Sequence, residues 1–215
     1  MNITKSSRTT IAIALTLLAA AAQATTTYTS APNGNGISPL AVPDTTTYGE
    51  VFTAPSAGGS TLDSFSFWLQ GSLAQAYGGV GTWMGTGIGT NLFTSATFGT
   101  AYAGFTEVTV NTGGLALTPG QQYVVYFSNS GIAGDSGSDT FEQGSGSALE
   151  HGGMAWDNNG GNSPVHANWG GCQGECNITL ASTMTFSPSA VPEPATYAMF
   201  GLGLLGIAIA RRRRA

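Results

Sequence analysis

The interior of this 215-residue chain lacks basic side chains. Its six Lys and Arg residues are Lys5, Arg8, Arg211, Arg212, Arg213 and Arg214. Residues 9–210 therefore contain none, whereas ten of the eleven Asp and Glu residues lie between residues 25 and 190. A surface without cations cannot neutralise phosphates, and it repels nucleic acids and anionic lipids. The composition excludes a nucleic-acid partner.

The interior also lacks a long helical repeat of apolar residues. Ser, Thr, Asn and Gly are its main polar residues, and they favour strands joined by turns. Apolar and polar residues alternate over 65–69 and 178–186, which predicts half-buried strands, and Tyr123–Phe127 is apolar on both faces, which predicts a covered central strand. Further strands are predicted at Tyr48–Thr53, Gly81–Met84, Leu92–Phe98 and Met154–Asp157, and a turn is predicted at Asn111–Gly114.

About eight short strands with Gly-rich turns predict an all-β fold, a two-sheet antiparallel sandwich of jelly-roll-like type. An eight-stranded barrel gives nearly the same pattern and is the alternative architecture. Gly131–Gly171 contains eleven glycines. This segment is predicted to form long loops, where a binding function would lie.

Each end of the chain has an apolar segment next to basic residues. An apolar run over 11–22, preceded by Lys5 and Arg8 and followed by Ala22-Gln23-Ala24, predicts a signal peptide over 1–24. A signal peptide implies the Sec export machinery as a partner and an ectodomain over residues 25–187.

Residues 188–195 form a Pro-rich linker, and residues 196–215 combine an apolar segment with the Arg211–Arg214 cluster. This composition predicts a C-terminal transmembrane helix whose arginines stop it and stay cytoplasmic. Both ends therefore predict the same topology, with the ectodomain outside.

The sequence Val191-Pro192-Glu193-Pro194, followed by the apolar segment and the Arg cluster, resembles the PEP-CTERM sorting signal of exported Gram-negative proteins. This resemblance implies that an exosortase, a membrane cysteine peptidase, recognises Pro192, Glu193 and Pro194. It implies transient anchoring in the inner membrane, and then transfer to the cell surface or extracellular matrix.

The ectodomain is more loosely similar to β-sandwich domains common among such proteins, through 65–69 and 107–123. The similarity supports the fold and the location and transfers no catalytic residue.

Cysteine is scarce, with Cys172 and Cys176 the only two. For a chain exported to an oxidising compartment, this pair predicts a local disulfide. His151 and His166 lie nearby in the sequence, but the spacing fits no standard zinc finger, and we predict no metal site.

Acidic residues occur along the Gly-rich segment, and carboxylates with loop carbonyls are ligands that calcium prefers. We expect these side chains to be solvated and expect no cofactor, with calcium as the alternative. The residues are Asp135, Asp139, Glu142, Glu150 and Asp157.

Catalytic motifs are absent: the chain has no Gly-x-Ser-x-Gly, no His-Glu-x-x-His and no phosphate loop. The best hydrolase set would be Glu150 with Asp157, or His151 and His166 with a serine. We therefore predict a non-enzymatic protein, with a secreted glycan hydrolase or a purely structural matrix component as alternatives.

The four tryptophans are candidates either for the core or for a ligand site. Trp68 and Trp83 are predicted in the core, and Tyr123 is predicted to bond back to its preceding turn. Trp156, Asp157 and Trp169 lie beside Gly-rich loops and form a hypothetical ligand loop for a polysaccharide, because aromatic rings stack on sugars.

One prediction follows from charge alone. Trypsin should leave the denatured, processed protein uncut, because residues 9–210 offer no Lys or Arg. Mass spectrometry of the digest measures this, and a Glu-specific protease on the same sample is the positive control. Internal tryptic fragments would contradict the predicted domain boundaries.

Overall fold

The computed structural model describes residues 25–42, 44–146, 153–157, 162–171 and 178–188. The predicted signal peptide, the Cys172 and Cys176 pair, the PEP motif and the C-terminal apolar segment lie outside these residues. In the described part, no helix is long and apolar enough to span a membrane.

Twelve strands form the described fold. In chain order they are β1 (Thr26–Leu40), β2 (Thr47–Thr53), β3 (Thr61–Leu73), β4 (Tyr77–Trp83), β5 (Ile88–Thr94), β6 (Tyr102–Ala116), β7 (Gln122–Ser128), β8 (Gly137–Ser145), β9 (Gly153–Asp157), β10 (Gly170–Gly171), β11 (Thr179–Leu180) and β12 (Ser182–Ser187). They build two six-stranded sheets, sheet A in the order β11-β8-β1-β12-β3-β6 and sheet B in the order β10-β9-β2-β7-β4-β5.

The pairings between the named strands are all antiparallel, and none of them joins one sheet to the other. The prediction of an all-β fold with two antiparallel sheets is confirmed. The barrel alternative is wrong for these residues, because a barrel would close a single sheet on itself.

The main core lies between the two sheets. Phe65, Phe67 and Leu69 alternate with polar residues on β3 and are fully buried, as predicted. Phe67 contacts Phe127 of sheet B at a ring distance of 5.0 Å, edge to face. Burying each such side chain stabilises the fold by roughly 1.5–3 kcal/mol.

Strand β7 is buried on both faces, which confirms the prediction for a central strand. Val125 and Phe127 pack into the main core, whereas Val124 and Tyr126 point to the other side of sheet B. There they join a second group of buried residues, which we name the outer cluster: Val51, Trp83, Ile88, Val124, Tyr126, Ala155 and Trp169.

Tyr123 closes the turn that precedes β7. Its hydroxyl accepts a hydrogen bond from the Thr118 backbone N–H at 2.9 Å. The predicted corner tyrosine is therefore confirmed.

Other predictions were wrong. Asn111–Gly114 lies inside β6 and forms no turn: Gly113 and Gly114 have φ of 73° and 86°, at a register shift against β3 that absorbs the extra residues. Trp68 is half-buried and belongs to neither cluster, because Phe67 and Leu69 take the core face of β3. Trp83 is buried in the outer cluster, as predicted.

The strands predicted at Gly81–Met84 and Leu92–Phe98 begin earlier, at Tyr77 and Ile88. Glycines in β4 hide the alternation, and one of them is needed there: a Cβ on Gly79 would lie 2.1 Å from the Tyr126 ring. The missing side chain at Gly79 leaves the space that the Tyr126 ring occupies in the outer cluster.

Glu50 is buried in β2 with only 4% of its surface exposed. Its Oε2 accepts a hydrogen bond from the Leu180 backbone N–H at 3.0 Å. Burial raises the pKa of Glu50 from 4.5 to about 8, although the bond from Leu180 acts to lower it. The carboxyl group is therefore mostly protonated in the folded protein at neutral pH.

We predict that Glu50→Gln stabilises the fold at neutral and alkaline pH. Because the folded-state pKa is raised, the folded protein binds the proton more tightly than the unfolded chain, so wild-type stability falls as the pH rises from 4.5 to about 8. The glutamine keeps an acceptor for Leu180 and removes this titration. The free energy of unfolding should differ by a few kcal/mol at pH 8 and converge near pH 4.

Denaturant unfolding at several pH values measures this difference. Glu107→Gln is the matched control, because Glu107 is exposed on β6. An equal pH dependence in the Glu50→Gln variant and the wild type would contradict the prediction.

Candidate functional site

An open cleft of about 600 Å³ lies at the β9–β10 edge of sheet B. Its walls are Thr86, residues 156–157 and residues 166–170. Trp156, Asp157 and Trp169, the three residues of the hypothetical ligand loop, all line this cleft. The fold therefore brings them together, although a ligand role for them stays a prediction.

Two elements position the walls. Strand β9 carries Trp156 and Asp157, and Trp156 pairs with Gly170 of β10. The loop 162–169 is attached to the β4–β5 hairpin by a bridge between Gly87 and Ala167. The Trp169 backbone N–H also donates a hydrogen bond to the Thr86 carbonyl oxygen at 2.8 Å.

Trp169 anchors the cleft from below. It is 3% exposed, and its ring meets Trp83 and Tyr126 edge to face at 5.8 and 6.1 Å. Its Nε1–H donates to the Pro164 carbonyl at 2.9 Å, so the polar atom of the indole is also satisfied. Trp169 thus belongs mainly to the outer cluster and offers little ring surface to a ligand.

Trp156 is the exposed aromatic of the site, with 37% of its surface accessible. Its ring is supported by the bare backbone of Gly170: an added Cβ there would lie 2.6–2.8 Å from three atoms of the six-membered ring. A ring held in this way is already ordered before a ligand arrives, which lowers the entropy lost on binding.

His166 and Asp157 form an ion pair in the wall of the cleft. The His166 Nε2 lies 2.9 Å from Asp157 Oδ2, and the Nδ1 contacts the Ala167 carbonyl oxygen. Partial burial of the ring acts to lower the pKa of His166. The hydrogen bonds to Asp157 and Ala167, with the carboxylate charge, outweigh it and raise the pKa above its ordinary value of 6.5.

This pair was not predicted from the sequence. His166 entered the sequence prediction only as a zinc ligand or as a catalytic partner of a serine, because nothing in the linear spacing of residues 157 and 166 marks them as partners. The sequence prediction also missed Asn168, whose φ of 77° is the one positive value at a described residue other than glycine. Asn tolerates this conformation, which turns the chain so that Trp169 enters the outer cluster.

The other acidic candidates do not converge on the cleft. Asp135 accepts from the Gln75 N–H and the Asn129 amide, Asp139 accepts from Thr100, and Glu142 accepts from the Gly34 N–H. Glu150 and His151 lie outside the described residues. Across the described ranges, no three His, Cys, Asp or Glu side chains form a group that could hold a metal ion.

Residues 190–214 match the family described as the PEP-CTERM protein-sorting motif. The chain carries a PEP-CTERM sorting motif. This match confirms the resemblance drawn from Val191–Pro194, the apolar segment and the Arg cluster. The PEP-CTERM motif implies that the protein is exported, anchored through its C-terminal region and processed by an exosortase.

No curated protein matches the chain. One similar solved structure is described as the cysteine protease and lectin-like domains of Cwp84, a surface layer associated protein of Clostridium difficile. It is 12% identical, with a TM-score of 0.44 over 68% of this chain and 32% of that one. The chain thus spans about a third of the length of that structure.

We predict that Gly170→Ala displaces the Trp156 ring. The new methyl group would occupy space that the ring fills, and overpacking of this kind lowers the free energy of unfolding by about 1–3 kcal/mol. Tryptophan emission and thermal unfolding measure the two effects. Gly104→Ala on β6 is the matched control, since a Cβ there meets no atom within 4 Å; equal behaviour of the two variants would refute the packing described.

Proposed function

We propose that this protein is a non-enzymatic carbohydrate-binding module of the cell surface or extracellular matrix. The observation that supports it is Trp156, an exposed ring held ready over Gly170 at the edge of a cleft. Aromatic rings pack against the apolar faces of sugars, while nearby polar groups bind the hydroxyls.

Polar side chains that can bind sugar hydroxyls line the same cleft as Trp156. Thr86 and Asn168 are exposed cleft residues that can donate and accept hydrogen bonds, and His166 is partly exposed beside them. The volume of about 600 Å³ lies within the range of roughly 300–1,000 Å³ usual for small-ligand sites. The cleft therefore suits one end or a short stretch of a sugar chain.

The charge distribution favours an uncharged sugar. No Lys or Arg occurs in residues 9–210, and the described surface carries carboxylates. An anionic polysaccharide would meet repulsion without a compensating cation other than His166, which Asp157 already neutralises. Neutral glycans avoid that penalty.

The arrangement of His166 and Asp157 favours binding over hydrolysis. A general base needs a free lone pair directed at the substrate. Both ring nitrogens of His166 instead face acceptors inside the protein, and Asp157 is 3% exposed and bonded to His166. These two groups support the wall of the cleft.

The proposal includes a jelly-roll-like fold and a route to the surface. The strand orders β1-β12-β3-β6 and β2-β7-β4-β5 support a jelly roll. Strand β8 also lies between β1 and β3, whereas β9 and β10 extend sheet B beyond β2 and carry walls of the cleft. Secretion through residues 1–24 and transient anchoring by residues 196–215 would place this sandwich outside the cell.

The test is binding of the full chain, purified in mild detergent, to immobilised neutral polysaccharides. Trp156→Ala should weaken binding by about ten-fold or more, as expected for the central aromatic of a site. Trp68→Ala is the matched control, because Trp68 is half-buried on β3 of sheet A, away from the cleft residues.

Two outcomes would overturn this function. Release of sugar fragments, lost on replacing Asp157 or Glu150, would indicate a glycan hydrolase. An absence of saturable binding to any glycan would indicate a purely structural matrix component.

A further inference from the structure

We propose that doubly protonated His166 is a positioning residue for Trp156, so that ligand binding in the cleft weakens as the pH rises. This inference rests on the proposed function, whose ligand it leaves unchanged. It assigns His166 no direct role in contacting the sugar.

The hydrogen-bond partners of the ring define its protonation. Nε2 faces the Asp157 carboxylate at 2.9 Å, and Nδ1 faces the Ala167 carbonyl oxygen. Both partners can only accept, and a neutral imidazole carries a single N–H. Only the imidazolium form can donate to both partners at once.

Together these contacts form a clamp between the loop and the sheet. The bond to Asp157, which ends β9, joins the loop to the sheet. The contact with Ala167, the next residue of the loop, fixes the ring beside the bridge from Ala167 to Gly87 of the β4–β5 hairpin. Three residues after Ala167 comes Gly170, which supports the Trp156 ring. A neutral His166 has one N–H for two acceptors and no charge to strengthen the bond to Asp157, which would loosen this segment and remove the support of the ring.

Within the cleft, few other groups can produce the same pH response. Glu50, with its pKa of about 8, lies on β2 and bonds to the Leu180 N–H, and it does not line the cleft. Strand β9 presents Asp157 and Trp156 to the cleft, the hairpin presents Thr86, and the loop itself presents Asn168. Of these, only Asp157 is charged, and it is the carboxylate already paired with His166. The His166 side chain is 29% exposed, so its proton exchanges with solvent.

The sign of the effect follows from the partners. They raise the pKa of His166 above 6.5, so the clamp is complete below pH 6.5 and is lost as the pH rises through the folded-state pKa. Ligand affinity should follow the same curve.

The experiment measures tryptophan emission and affinity for a neutral polysaccharide between pH 5 and pH 9, with the full chain. Wild-type affinity should fall by about ten-fold over this range, the effect of losing one charge-assisted hydrogen bond. His166→Gln, which keeps a donor but cannot titrate, should bind weakly at every pH. His151→Gln, at the other histidine in the sequence, should retain the wild-type profile.

The outcomes separate the two proposals. A pH-independent wild type, or a His166→Gln variant with the wild-type profile, overturns the positioning role. If emission titrates through His166 but no glycan binds, the proposed function fails and the clamp stands. Should His166→Gln not fold, Asp157→Asn replaces it: the titration midpoint must move down towards 6.5, and an unchanged midpoint overturns the inference.

Discussion

Burial of strand β7 on both of its faces is the constraint on which the rest of this structure depends. Val125 and Phe127 complete the core between the sheets, so Val124 and Tyr126 necessarily face the other side. Those apolar groups require a cover, and Trp83 and Trp169 supply it. Because Trp169 arrives on the loop that forms the cleft, completing the hydrophobic packing also sets the position of the candidate site.

The lack of Lys and Arg imposes a second constraint, since carboxylates in the described part must find uncharged partners or a histidine. Glu50 uses a backbone N–H, and Asp139 uses the hydroxyl of Thr100. Asp157 differs, because its partner His166 can carry a charge. The one ion pair among the described residues therefore lies in the wall of the cleft, where its protonation bears on the position of Trp156.

The two parts of the chain divide the functional work. The PEP-CTERM motif at 190–214 is a sorting signal that implies export and exosortase processing, and it acts through a short linear sequence. The sandwich offers a folded surface with one ordered aromatic ring. In our proposal, sorting brings this surface to the outside of the cell, where neutral polysaccharides are available, and the cleft provides the contact.

The sequence alone determined what depends on local pattern: the strand alternation of 65–69, the doubly apolar β7, the Tyr123 corner and the linear sorting motif. The tertiary structure decided what depends on register between distant strands. Strand β1 contains Pro and Gly residues that conceal it, and its register shifts between Pro32 and Gly36 exist only against β8. Likewise, Gly170 meets the Trp156 ring, and His166 meets Asp157, because packing of the loop on β9 brings together groups that no spacing along the chain connects.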